Sequence, residues 1–203
     1  MKIMPYVKKT WKFLWEDDSI WSWLANIVIA FVLIKFILLP GLGLALGTTH
    51  PIVAVVSGSM EHDGSFDTWW APQEQFYSKL GITKTGFEKF PLRDGFNKGD
   101  IIILLGVKPD KLKIGDVIVF RAQNPIAAPD PIIHRAIRIT NGLDTIVQTK
   151  GDHNFGQIRT QEVDETNIKW EQVIGRAWLR IPLLGYVKIW FVDIINGLRG
   201  LIR

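Results

Sequence analysis

The sequence predicts a mainly β protein with an N-terminal transmembrane helix, an antiparallel β domain and a C-terminal amphipathic helix. Three observations lead to this fold class. The stretch from Ile20 to Leu39 is almost continuously apolar, and a bilayer core requires about 20 apolar residues in a helix. After residue 45, short β-branched runs follow turn dipeptides, which is typical of strands. From Val187 onwards, apolar residues recur at helical spacing and form a single stripe.

Composition limits the function classes. The chain has 203 residues, enough for one domain with small attachments. It contains no cysteine, which excludes a disulfide framework, a thiolate metal site and a cysteine nucleophile. The 24 Lys and Arg residues exceed the 20 Asp and Glu residues only slightly. This excess is too small to predict a nucleic-acid-binding protein.

The N-terminal region divides into a basic, aromatic segment (1–18) and an anchor (19–45). We favour a retained anchor over a cleavable signal peptide, because the apolar run is long and Pro40 with the following glycines makes a poor cleavage site. Four lysines precede the span and no Lys or Arg immediately follows it. The positive-inside rule therefore predicts a single-pass protein of the cell membrane with a cytoplasmic N-terminus. The lipid bilayer is thus a predicted partner.

The β domain is predicted to span residues 46–182. Asn141-Gly142, between two runs of alternating polarity, predicts a hairpin. Little helical pattern separates the strands, which favours a compact antiparallel domain. The candidate strands are 52–57, 101–105, 117–121, the two arms of 132–149, and 172–181.

Two segments depart from this β pattern. Residues 61–98 are polar and rich in aromatic residues, with one short helix predicted from Pro72 to Leu80 and ended by Gly81. This insertion is either a surface element with its own small core, or a lid or flap that contacts the membrane. Residues 183–203 form the amphipathic helix, for which an interfacial position is favoured. The sequence leaves open whether that helix lies on the membrane or spans it.

The residues with possible catalytic roles lie in three short motifs. Ser57-Gly58-Ser59-Met60 directly follows an apolar strand, where a serine hydroxyl and backbone amides can be exposed. His134 lies within a strand among isoleucines, an unusual environment for an imidazole. Asp152 follows the second hairpin strand and could support His134. The four histidines lack metal-ligand spacing, so we predict neither a metal nor a cofactor.

Five segments follow one another in the chain: VVSGSME (55–61), FNKGDIII (96–103), KIGDVIVF (113–120), PIIHRAIRI (131–139) and TKGDHN (149–154). In this order they resemble the type I signal peptidases, specifically the archaeal and endoplasmic-reticulum branch in which histidine replaces the bacterial lysine base. The resemblance implies that Ser59 is the nucleophile and His134 the base. It further implies that Ser57 and the Ser59 amide form the oxyanion hole, and that Asp152 is the aspartate of the family's Lys-Gly-Asp motif.

Two features differ from the family pattern. His62 stands where relatives often have proline, and the next Gly-Asp pair is delayed by the 61–98 insertion. Many relatives also carry a second aspartate six residues after the Lys-Gly-Asp aspartate, and this position is Ile158 here. The third member of the triad is therefore open. Asp152 is favoured, and the other candidates are Asp164, Glu162 and Glu165.

The function implied by the resemblance is a membrane-bound serine endopeptidase that removes N-terminal signal peptides from exported preproteins. The expected substrates carry small residues at positions −1 and −3, and the expected location is near the Sec translocon. The alternative is a catalytically impaired, membrane-anchored β domain that acts as a binding module. An anchored hydrolase with other substrates is a further alternative. Presence of both Ser59 and His134 favours the peptidase.

Overall fold

The N-terminal region is helical. A computed structural model of the chain describes residues 4–142, 144–186 and 190. The chain forms two compact units, which divide between Ala45 and Leu46. The first unit contains the helix Met4–Glu16 and most of the helix Ile20–Leu46. Ser19 begins the second helix, because its hydroxyl accepts the Ser22 amide at 3.3 Å. By length and composition, Ile20–Leu46 could cross a membrane.

The second unit is built on one antiparallel sheet, so the predicted fold class of an apolar helix followed by a mainly β domain is confirmed. The sheet order is β1-β2-β7-β3-β4-β5-β6. The predicted hairpin is also present, since β4 and β5 pair from Thr140 and Ile146 on either side of Asn141-Gly142. The strands are β1 (Ile52–Ala54), β2 (Ile101–Leu105), β3 (Val117–Phe120), β4 (Ile132–Thr140), β5 (Ile146–Lys150), β6 (Ile168–Lys169) and β7 (Val173–Ile181).

The hydrophobic core fixes the segment that carries the predicted nucleophile. Met60 and Phe96 are fully buried in the same apolar cluster as strands β2, β3 and β7. The Phe96 amide donates to the Met60 carbonyl at 3.0 Å. Because the residue after Ser59 is anchored in the core, the bend at residues 57–60 has a defined position.

The insertion contains a longer helix than the sequence predicts. It runs over Phe66–Ser78, so the predicted start at Pro72 is wrong. The helix begins earlier because the Ser65 hydroxyl caps it by accepting the Thr68 amide at 3.3 Å. Gly81, the predicted stop, follows with a φ of 74° in the left-handed region.

The insertion has an aromatic core of its own that also contacts the sheet. The predicted membrane contact of this segment stays a prediction, and the predicted C-terminal helix (183–203) lies almost entirely outside the described residues. The buried members of the aromatic core are Trp69, Trp70, Tyr77, Ile82 and Phe87, joined by Ile137 of β4.

Candidate active site

Ser59 and His134 meet from distant parts of the chain. Ser59 lies in the bend after β1, and His134 is the third residue of β4. The Ser59 Oγ lies 2.9 Å from His134 Nε2. The imidazole is almost completely buried, with 3% of its side chain exposed. A serine hydroxyl hydrogen-bonded to a fixed imidazole is the arrangement that a nucleophile and its base require.

Two further contacts define the surroundings of Ser59. Its carbonyl oxygen accepts the His153 amide at 2.9 Å, which links the bend to the turn after β5. Ser57, the residue expected to contribute to an oxyanion hole, has its Oγ 3.2 Å from the Ser59 Oγ. Both serine hydroxyls therefore lie on the same side of the bend.

Glu165 holds the second ring nitrogen of His134. Its Oε1 lies 2.5 Å from His134 Nδ1, and its side chain has no exposed surface. The Thr149 hydroxyl donates to the same oxygen at 2.8 Å, and the Ile158 amide donates to Oε2 at 2.6 Å. Each oxygen of this buried carboxylate thus has a donor, as burial requires. A carboxylate on Nδ1 keeps the proton on that nitrogen and leaves Nε2 able to accept one from serine.

A short hairpin brings Glu165 to the imidazole. The Glu165 amide donates to the Ile158 carbonyl at 2.9 Å, and the Thr160 amide donates to the Val163 carbonyl at 2.8 Å. Residues 158 and 165 therefore face each other across this hairpin. Position 158, where a carboxylate was expected from the family pattern, is apolar, and the residue directly opposite supplies the carboxylate instead.

Asp152, the residue predicted to orient His134, contacts other groups. Its oxygens accept the Arg135 guanidinium at 2.6 and 2.9 Å and His62 Nε2 at 3.0 Å. The Tyr77 hydroxyl adds a longer contact of 3.3 Å. Burial alone would raise the pKa of Asp152, but the charge of Arg135 and the hydrogen bond from His62 hold this pKa well below its usual range. Asp152 is thus the centre of a separate, buried ion-pair cluster.

The pleat of β4 explains this division. Adjacent residues of a strand point to opposite faces, so His134 and Arg135 are directed apart. Arg135 meets Asp152 on one face, and His134 meets Glu165 on the other. Thr149, which also bonds Glu165, lies on the His134 face. Asp152 is close to the β4–β5 hairpin in sequence, but its carboxylate bonds Arg135 and does not reach His134.

The other acidic candidates lie elsewhere. The Asp164 carboxylate accepts the Thr166 hydroxyl at 2.6 Å and the Thr166 amide at 2.9 Å. These local hydrogen bonds lower the pKa of Asp164. Hydrogen bonds lower the pKa of Glu162 as well, chiefly one with Thr160. Neither carboxylate has a described hydrogen bond to His134.

Ser59 and His134 open into a cleft of about 370 Å³. Residues 53–57 form one wall and residues 130–134 the other, and Ile158 and Asn154 complete the lining. Most of these side chains are apolar. Among the described strands β1 pairs only with β2, so its outer edge is available to an extended peptide. Within residues 4–142, 144–186 and 190, no group of three or more His, Asp or Glu side chains is arranged to hold a metal ion.

The chain is similar to known signal peptidase subunits. No protein-family model matches the chain. The signal peptidase complex catalytic subunit SEC11C of Homo sapiens is 28% identical over 153 residues, which cover 73% of this chain. SEC11 of Zygosaccharomyces rouxii is 28% identical over 162 residues, or 78% of this chain and 75% of that protein. The chain is a homologue of signal peptidase catalytic subunits. It spans 61% of the length of the human relative.

Glu165 occupies the place beside His134 for which the sequence favoured Asp152. One signal in the sequence favoured Glu165. Side chains of an extended segment point alternately to opposite faces, so Glu165 lies on the same face as the apolar Val163 and Asp164 lies on the other. In the structure Val163 and Glu165 are buried and Asp164 is partly exposed. The alternation therefore pointed inward at residue 165.

Proposed function

We propose that the chain is a membrane-anchored serine endopeptidase that removes N-terminal signal peptides from exported preproteins. The observation that carries this proposal is the hydrogen-bonded series from the Ser59 hydroxyl through His134 to the buried Glu165 carboxylate. The homology to signal peptidase catalytic subunits supports the same activity. The alternative of an impaired binding module drew its support from Ile158, and this support is lost because Glu165 supplies a carboxylate.

The mechanism follows from the three side chains. His134 begins neutral, its Nδ1–H donates a hydrogen bond to Glu165, and its Nε2 lone pair faces the Ser59 hydroxyl. As the Ser59 oxygen attacks the scissile carbonyl carbon, the hydroxyl proton passes to Nε2. The imidazolium then donates that proton to the departing amine, the carbon–nitrogen bond breaks and an ester to Ser59 remains. Water, deprotonated by the same nitrogen, hydrolyses the ester and regenerates the serine.

The cleft supports the binding of an extended substrate whose alternate side chains share one apolar lining. A peptide added to the free edge of β1 would direct alternate side chains into the cleft. Residues −1 and −3 of the substrate then face the same apolar lining. From this shared apolar lining and from the similarity to signal peptidase catalytic subunits, we infer that both positions accept small residues.

Substitution in the substrate tests this specificity. A preprotein with alanine at −1 should be cut immediately after that residue by the detergent-solubilised protein. Phenylalanine at −1 should lower kcat/KM by about 10- to 200-fold, the discrimination that one apolar pocket can supply. The product is identified by N-terminal sequencing. Equal cleavage of the two preproteins would contradict the proposed role of the cleft.

We further propose that Ile20–Leu46 crosses the membrane once, with the N-terminus in the cytoplasm and the β domain on the outer face. The helix has 27 residues, which at 1.5 Å per residue is about 40 Å, longer than the roughly 30 Å hydrocarbon core. Lys8, Lys9 and Lys12 precede it, as the positive-inside rule requires of the cytoplasmic side. This topology positions Ser59 to meet signal peptides after they cross the membrane, near the Sec translocon.

Protease protection tests the orientation. In sealed vesicles with the cytoplasmic face outward, added protease should remove only about the first 20 residues, because the β domain is inside. The same protease added after detergent should digest exposed parts of the β domain. Digestion of the 61–98 insertion in intact vesicles would contradict the proposed orientation and, with it, access to exported substrates.

A further inference from the structure

The 61–98 insertion contacts the turn that follows β5. The Trp69 indole N–H donates to the Asp152 carbonyl at 3.1 Å. The Tyr77 hydroxyl lies 3.3 Å from the Asp152 carboxylate. His62, at the start of the insertion, bonds the same carboxylate and stacks on Trp69 with ring centroids 3.6 Å apart and planes 5° from parallel. Three side chains of the insertion thus converge on one residue of the turn.

Lys150, the last residue of β5, leads into this turn and is held by the same insertion. The Lys150 ammonium lies 5.3 Å from the ring centre of Phe76 and 5.0 Å from that of Tyr77. It also donates to the Gly151 carbonyl at 2.9 Å. Burial lowers the pKa of Lys150 to about 8. Both ends of the segment 150–152 are therefore in contact with aromatic side chains of the insertion.

The other side of the turn lies against the reacting pair. The His153 amide donates to the Ser59 carbonyl at 2.9 Å, and the Asp152 amide contacts the Met60 sulfur at 3.3 Å. A side chain at Gly151 would begin 2.7 Å from the Ser59 carbonyl oxygen and 2.8 Å from His134 Nε2. A displacement of the turn would therefore move the serine relative to its base.

We propose that the 61–98 insertion is a positioning element, in which Trp69 and His62 hold the 150–153 turn against Ser59 and so fix the distance between the serine and His134. Neither residue lines the described cleft, so both act through the turn and not on the substrate. The inference rests on the proposed peptidase function. It also gives a role to the insertion and to His62, the two features by which the segment after Ser59 differs from the family pattern.

A matched pair of tryptophans tests the proposal. Trp69 and Trp70 are adjacent, nearly fully buried and in the same aromatic core. Only Trp69 bonds the turn, since the Trp70 indole nitrogen has no hydrogen-bond partner among the described residues. Trp69→Phe should lower kcat by about 10- to 100-fold with KM unchanged, the cost of a displaced reacting group. Trp70→Phe should leave kcat within about twofold, although it removes the same indole from the same core.

His62 provides a rescue test. His62→Ala removes the donor to Asp152 and should lower kcat, whereas His62→Gln keeps an N–H donor and should restore most of it. The melting temperatures of all four variants are compared, so that a general loss of stability is recognised. Equal kcat for Trp69→Phe and Trp70→Phe would overturn the proposal.

A second measurement does not depend on activity. Hydrogen exchange of the backbone amides in residues 151–154 should be faster in Trp69→Phe than in the wild type and in Trp70→Phe, because the turn has lost its support. Unchanged exchange in Trp69→Phe would overturn the positioning role. If the wild type cleaves no preprotein, the proposed function fails, while this exchange comparison still decides whether the insertion holds the turn.

Discussion

Replacement of Glu165 by glutamine is expected to lower kcat for preprotein cleavage by about 10⁴-fold, the loss found when a triad carboxylate becomes an amide. The amide no longer balances the charge that develops on His134 during attack. It can also donate to Nδ1, which favours the imidazole tautomer whose Nε2 carries a proton and cannot accept one from Ser59. KM should change little, because Glu165 does not line the cleft. Steady-state kinetics on a purified preprotein measures both constants.

Asp164→Asn is the matched control. Asp164 is the adjacent carboxylate, and its hydrogen bonds go to Thr166 and not to His134. We expect kcat to stay within about twofold of the wild type. A large loss for Asp164→Asn with normal turnover for Glu165→Gln would contradict the assignment of Glu165.

The hairpin geometry allows a stronger test of the same assignment. Residues 158 and 165 face each other, and their backbones are joined by the Glu165 amide and the Ile158 carbonyl. Ile158→Asp in a Glu165→Ala background should therefore return a carboxylate to the His134 face and recover part of the lost turnover. Ile158→Asn in the same background should not, because it adds no charge.

The second large effect concerns the reacting pair itself. Ser59→Ala removes the nucleophile and His134→Ala removes the base, so each should abolish preprotein cleavage and leave membrane insertion intact. His134→Lys should fail as well, since a lysine acts as a neutral base only in a desolvated pocket that lowers its pKa. A buried Glu165 carboxylate beside that lysine would favour the charged form instead. Cleavage is followed by gel mobility of the precursor and the mature protein.

Ser59 and His134 could be singled out in the sequence by their immediate neighbours, and the resemblance to the signal peptidases implied their roles. The Ser-Gly-Ser-Met bend follows an apolar strand, and an imidazole among isoleucines is unusual. Six of the seven described strands were predicted for a similar reason, since alternation and turn dipeptides are local properties, and only the two-residue β6 was missed. The two residues meet because β4 places His134 next to the bend after β1, within hydrogen-bond distance of Ser59.

The alternation at residues 163–165 directs Glu165 inward, but which acidic residue reaches His134 depends on two non-local features. One is the direction of Arg135, which draws Asp152 to the face of β4 opposite His134. The other is the hairpin that turns Glu165 toward Ile158. The role of the insertion was hidden for a similar reason. Trp69 and Asp152 lie 83 residues apart in sequence, and no local pattern relates them.

We propose that Ser59, activated by His134, cleaves signal peptides. The most direct test is to incubate one radiolabelled preprotein in liposomes with the wild type and with Ser59→Ala side by side, and to sequence the product's N-terminus. We expect the wild type to release the mature protein, with its new N-terminus directly after a small residue, and Ser59→Ala to leave the precursor intact. Equal processing by Ser59→Ala, or an uncleaved precursor with the folded wild type, would contradict this role of Ser59.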